Sequence, residues 1–141
     1  EGLGDSKLLV GYAEREFYRS LVQFSPTAVA AAVPAGATIK RADLRVTVFP
    51  PPETLPVVDI TVQARRLLGP WNETGVTWST QPASGSAMSS VTIGKTATSA
   101  TWDIRDAVAL WRQSSATNYG VVLQLENEAE APTGSRPRVG A

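Results

Sequence analysis

The stretch Gly69-Pro70-Trp71-Asn72-Glu73-Thr74-Gly75-Val76-Thr77-Trp78-Ser79-Thr80-Gln81-Pro82 decides how the rest of the chain is read. It holds two of the four tryptophans, one acid, two glycines and two prolines, a mixture that fits neither a regular helix nor a long strand. Trp71, following Pro70, is expected to leave the preceding strand through a turn. Val76 and Trp78 are then expected to resume period-two alternation with both side chains on one face. The stretch reads as a rigid corner between strands.

Two segments on its N-terminal side alternate cleanly. Residues 38–49 place Ala42, Leu44, Val46 and Val48 on one side and Asp43, Arg45 and Thr47 on the other. Residues 57–65 place Val58, Ile60, Val62 and Ala64 inward and Asp59, Thr61, Gln63 and Arg65 outward. That period is the mark of a half-buried antiparallel strand. Between them Pro50, Pro51 and Pro52 stiffen a loop, since such a run cannot lie inside a sheet. Further upstream, residues 7–13 read as a short apolar strand, Glu14 to Glu16 as a charged turn, and residues 18–24 as the return strand. In that return strand Ser20, Val22 and Phe24 share one face, and Arg19, Leu21 and Gln23 the other. Residues 27–33 have room for one helical turn before Pro34 and Gly36 stop it.

On the C-terminal side residues 83–90, small and polar, read as a surface loop. Val91 and Ile93 mark a short strand closed by Gly94, residues 95–100 another loop, and residues 100–102 a brief strand. Residues 103–111 form the one convincing helix: Ile104, Ala107, Val108 and Trp111 fall at i, i+3, i+4 and i+7. Asp103 is placed to cap it, and Asp106 puts an acid in its first turn. After the turn chemistry of Asn118 and Gly120, residues 119–126 read as a buried strand through Val121, Leu123 and Leu125. The tail, residues 127–141, is expected to be mobile. About seven strands with one short helix predict an all-β fold, an antiparallel β-sandwich.

Composition narrows the function. The length of 141 residues suits a single module over 1–141. Lys plus Arg and Asp plus Glu are both 13, so the formal charge is zero, and nothing favours a nucleic-acid partner, which would select a basic stripe. Cysteine and histidine are both absent. That removes disulfides, thiolate metal sites, the usual zinc ligand and the usual general base together. No apolar run approaches the roughly eighteen residues of a membrane helix, so this segment is not expected to insert in a membrane. The opening Glu-Gly-Leu-Gly is not a natural start, so the module is expected to belong to a longer protein.

Trp71-Asn72-Glu73, Val76-Thr77-Trp78 and Gln81-Pro82 also carry a family resemblance. Around them stand Tyr18-Arg19-Ser20 leading to Phe24, residues 34–39 leading to Ala42-Asp43-Leu44-Arg45, Trp102-Asp103-Ile104 with Val108 and Trp111, Asn118-Tyr119-Gly120, and Arg136-Pro137-Arg138. The ordered set resembles the DNRLRE domains, a group that includes the family 96 carbohydrate-binding modules. The resemblance implies a β-sandwich of jelly-roll type in secreted or surface proteins of prokaryotes, without catalytic activity of its own. Relatives usually carry a further strand before Lys7 and an apolar strand after the Arg-Pro pair, so the terminal strands are expected to be incomplete here.

The candidate site residues follow from side-chain chemistry. A flat indole packs against the C–H side of a pyranose ring, and equally well into a core. Trp78, Trp102 and Trp111, in strand or helix phase with apolar neighbours, are assigned to the core, which leaves Trp71 as the platform candidate. Glu73 has no second carboxylate at a spacing that makes an acid/base pair. Arg19 and Arg45 are expected to decorate a solvent face, where guanidinium groups could also pair with the carboxylates of an acidic polysaccharide. Ligand binding is thus assigned to Trp71, Glu73, Arg19 and Arg45, and no catalytic residue is assigned. Glu126, Glu128 and Glu130 with Asn127 offer oxygen ligands for a structural calcium or, more simply, a solvated acidic edge. Asn72-Glu73-Thr74 matches an N-glycosylation sequon.

Two functions emerge. The preferred one is a non-catalytic extracellular module with a structural or adhesive role at a prokaryotic surface, whose exposed sheet edge takes a strand from a neighbouring domain or subunit. The alternative is a carbohydrate-binding module that targets an appended enzyme to a polysaccharide such as alginate.

Overall fold

The structure, a computed structural model, describes residues 7–13, 16–49, 58–128 and 138–140. Its strands form where the apolar alternation is strongest. In β5 (Asp43–Phe49) every second residue is buried, with Leu44, Val46 and Val48 inward and Arg45 outward. In β6 (Ile60–Leu67) Ile60, Val62 and Ala64 point inward; a register shift at Arg65 then returns Leu67 to the interior. The other sandwich strands are β1 (Lys7–Leu9), β4 (Ser20–Val22), β7 (Ser84–Ile93), β8 (Ser99–Asp103), β9 (Val121–Leu125) and β10 (Arg138–Gly140).

These eight strands pair antiparallel into two four-stranded sheets, β1-β10-β5-β8 and β4-β9-β6-β7. With the eight counted in chain order, the sheets run first-eighth-third-sixth and second-seventh-fourth-fifth, the strand order of a jelly roll. The layers share one core: Leu44, Val46, Val48, Ala100 and Trp102 from the first sheet meet Ile60, Val62, Ile93, Leu123 and Leu125 from the second. Trp102 is fully buried, and its indole N–H donates to the Val62 carbonyl of the opposite layer at 2.8 Å. A buried indole would otherwise leave a donor without a partner, so the bond both satisfies the ring and ties the sheets.

Gly11, with φ of +121°, lets the chain leave β1 and enter a separate two-stranded ribbon, β2 (Gly11–Ala13) with β3 (Glu16–Tyr18), in which Tyr12 and Phe17 stack at 4.9 Å. Helix α1 (Pro26–Ala32) starts at Ser25, whose hydroxyl accepts the Ala28 N–H. Helix α2 (Arg105–Gln113) buries Ala107 and Trp111 as the i, i+3, i+4, i+7 spacing requires, and the Asp103 carboxylate accepts the Arg105 N–H at 2.9 Å. A 3-10 turn, Ser115–Thr117, follows it.

Several expectations are corrected. The stretch 7–13 is two strands, divided by the turn at Gly11, and 16–22 is likewise two, because each half pairs in a different sheet. Among the described residues there are two short α-helices, α1 having two turns rather than one. Residues 84–90, expected to be a loop, belong to β7 and pair with β6 from Ser84 to Ile93. The strand after the Arg-Pro pair, expected to be incomplete, is present as the three-residue β10 between β1 and β5, and so the tail is not wholly mobile. The three prolines 50–52, Glu14 and Arg15 of the charged turn, and Glu130 lie outside the described residues.

Candidate functional site

Between β6 and β7 the chain makes a loop over residues 69–82, closed at its neck where the Leu68 N–H donates to the Ala83 carbonyl at 2.9 Å. Inside it, short polar side chains and backbone satisfy one another. The Gly75 and Val76 N–H groups both donate to the Asn72 carbonyl, at 3.1 and 2.9 Å, and those of Thr80 and Gln81 to the Thr77 carbonyl, at 3.2 and 3.0 Å. Asn72 Oδ1 accepts the Thr74 N–H and hydroxyl, at 2.8 and 2.6 Å. Two successive turns therefore replace the strand expected at Val76 and Trp78.

That local bonding decides where the tryptophans go. Trp78, assigned to the core from its apparent strand phase, is 55% exposed, the most exposed large hydrophobic side chain among the described residues. Trp71 is half-buried, and its indole N–H donates to the Tyr119 carbonyl at 2.8 Å, pinning the loop to the turn before β9. That turn is rigid. Gly120 has φ of +85°, and a Cβ there would lie 2.1 Å from the Val22 carbonyl oxygen, so the Asn118-Tyr119-Gly120 motif reflects close backbone approach. Asn118, itself buried, donates to the Phe24 carbonyl at 2.8 Å and accepts from Gln23 Nε2 at 2.7 Å through its carbonyl.

Trp71 and Glu73 come together. They line a shallow, open groove of about 660 Å³ whose other wall includes Leu21, Gln23, Phe24 and Ser25. Glu73 is exposed and, among the described residues, is the one carboxylate lining this groove.

Arg19 joins a different part of the same loop. Its guanidinium donates from Nε to Glu128 Oε1 at 2.9 Å, from a second nitrogen to Glu128 Oε2, and from Nη1 to Gln81 Oε1 at 2.9 Å. Its Cζ lies 4.5 Å from the centroid of the Trp78 ring. Gln81 in turn donates through Nε2 to the Trp78 carbonyl at 2.8 Å. The Arg19 and Glu128 side chains are 24% and 19% exposed, so this is a half-buried fork, unlike the solvent-facing arginine expected from sequence. Arg45, the other arginine assigned from sequence, is exposed on β5, in the other sheet.

The acidic edge is likewise engaged. Both Glu128 oxygens accept from Arg19, while Glu126 Oε1 accepts from Gln63 at 3.1 Å and from Ser90 at 3.4 Å. Among the described residues no cluster of three or more carboxylates is gathered to hold a metal.

The model of carbohydrate-binding module family 96 matches residues 4–137. The chain belongs to that family. A search of curated proteins found no match. In this family-96 module, loop 69–82 carries two indoles and one groove-lining acid, and its Trp78 and Gln81 meet the Arg19–Glu128 fork. Of these, Arg19, Trp71 and Glu73 were legible as candidates from sequence. Trp78, Gln81 and the Arg19–Glu128 pairing were not; a Trp flanked by Thr77, Ser79 and Thr80 in a Gly-containing segment was the available signal for an exposed ring.

Proposed function

We propose that the chain is a non-catalytic extracellular module that binds polysaccharide through loop 69–82 and holds a neighbouring domain against that polymer. One observation carries this: the Trp78 indole is largely exposed yet braced on one face by Arg19, which leaves a fixed aromatic surface facing solvent. An aromatic face open to solvent and flanked by polar side chains is a surface on which a sugar ring can stack. A sugar ring stacked on it would bury apolar C–H surface at little conformational cost, because the ring is already positioned. Membership of a carbohydrate-binding family supports this over the structural or adhesive role, which the sequence alone had put first. The acids support a non-catalytic part, since Glu126 and Glu128 are already hydrogen-bonded and Glu73 alone lines the groove.

Calorimetric titration and affinity electrophoresis against a panel of soluble polysaccharides test the proposal. Saturable binding is expected, and Trp78→Ala is expected to weaken it at least tenfold, the order of about 1.4 kcal/mol for one lost stacking contact. A folded protein that binds no polysaccharide in the panel would sink the reading.

A further inference from the structure

We propose that Asn72 is an acceptor for N-linked glycosylation: its side-chain nitrogen takes an oligosaccharide from a polyprenyl-pyrophosphate donor, through an oligosaccharyltransferase that reads Asn-X-Thr. Of the reading above this needs only the extracellular placement, since the transfer takes place on the side of the membrane away from the cytoplasm.

A three-residue match arises easily by chance; exposure and bonding single this one out. Of the chain's three asparagines, Asn72 alone has a hydroxyl two positions on, since Asn118 is followed by Tyr119 and Gly120, and Asn127 by Glu128 and Ala129. Asn118 is also buried, with its amide nitrogen held by the Phe24 carbonyl. Asn72, Glu73, Thr74 and Gly75 are all exposed. A Cβ added at Gly75 would meet nothing within 4 Å, so the space beside the motif is open. Trp71, bonded to the Tyr119 carbonyl, anchors the loop immediately before it, and so the motif is both presented and fixed.

The Asn72 amide divides its work. Oδ1 accepts the N–H and the hydroxyl of Thr74, at 2.8 and 2.6 Å, and closes the turn, whereas Nδ2 has no hydrogen-bond partner among the described residues. The turn therefore needs the oxygen alone, and the nitrogen keeps both its protons free. An aspartate would serve the turn equally well, so the nitrogen is the part that a purely structural role does not use. In the transfer a bond forms from Nδ2 to the anomeric carbon and the bond from that carbon to the pyrophosphate oxygen breaks. Polyprenyl pyrophosphate leaves with the electron pair, and one Nδ2 proton is released; nothing is oxidised or reduced. The product carries its glycan on an exposed loop outside both sheets, where its bulk displaces no core residue.

The experiment presents the folded protein to a single-subunit oligosaccharyltransferase with its lipid-linked oligosaccharide, and reads intact mass and then a peptide map. Because Pro70 stands two residues before Asn72, the enzyme chosen is one that needs no acid at that position. One glycan per chain, on the peptide holding Asn72, is expected. The synthetic peptide 69–77 is the comparator, and the protein should be modified within about tenfold of its rate, since an exposed loop needs no local unfolding to enter the enzyme. Asn72→Asp, which keeps the acceptor of the turn, should take no glycan while retaining native circular dichroism. Thr74→Ser should still be modified, and Thr74→Val should not. A folded protein left bare while the peptide is glycosylated would overturn the proposal, because the loop would then withhold the motif. A peptide that is itself no acceptor, or a glycan that persists in Asn72→Asp, would overturn it as well. Polysaccharide binding is titrated separately on the unglycosylated protein, so either result can fail without the other.

Discussion

Val76-Thr77-Trp78 and Ala100-Thr101-Trp102 have the same grammar, a small apolar residue, a threonine and a tryptophan, yet the first ring is 55% exposed and the second fully buried. Their backbone partners make the difference. Residues 99–103 pair one for one with β5, from Ser99 opposite Thr47 to Asp103 opposite Asp43, and this register drives Trp102 into the core. Residues 72–81 bond to themselves, through the Asn72 and Thr77 carbonyls and the Asn72 side chain. Alternation in sequence becomes a buried face only where a neighbouring strand claims the backbone; asparagine, threonine and glycine offer the chain a local substitute.

Four substitutions break or sharpen that comparison, in falling order of effect. Trp102→Ala is expected to destabilise the fold by about 3–5 kcal/mol in urea unfolding, from the cavity it leaves and the lost bond to the Val62 carbonyl. Gly120→Ala should cost about 2–4 kcal/mol by the same measurement, since the methyl meets the Val22 carbonyl and the site that anchors Trp71 must shift. Trp102→Phe, which keeps the aromatic bulk and removes the N–H, should cost about 1–3 kcal/mol. Trp78→Ala should change stability by less than about 0.5 kcal/mol while removing polysaccharide binding. If Trp78→Ala cost as much as Trp102→Ala, the contrast drawn between the two rings would be wrong.

Legibility in the sequence followed the same divide. The alternation of β5 and β6 and the spacing of Ile104, Ala107, Val108 and Trp111 were sufficient for the sandwich and for α2, because each pattern is set by one element burying one face. Residues 84–90 hid their strand: Ser-Gly-Ser-Ala-Met-Ser-Ser has low β propensity and is recruited by its pairing with β6, a tertiary cause. Within the candidate site Trp71 and Glu73 could be read together because a single residue, Asn72, separates them. The Arg19 fork could not, because Glu128 lies 109 positions away, and no local pattern reports which acid a distant arginine meets.

The placement of β10 has a consequence for synthesis. Among the described strands β1 has β10 as its single sheet partner, so β1 cannot settle into its layer until β10 has left the ribosome. Such a closure joins segments more than a hundred residues apart and belongs with the slow, non-local steps of folding. A nascent chain halted just before Arg138 should therefore already hold the β4-β9-β6-β7 layer while its opening residues stay open to protease.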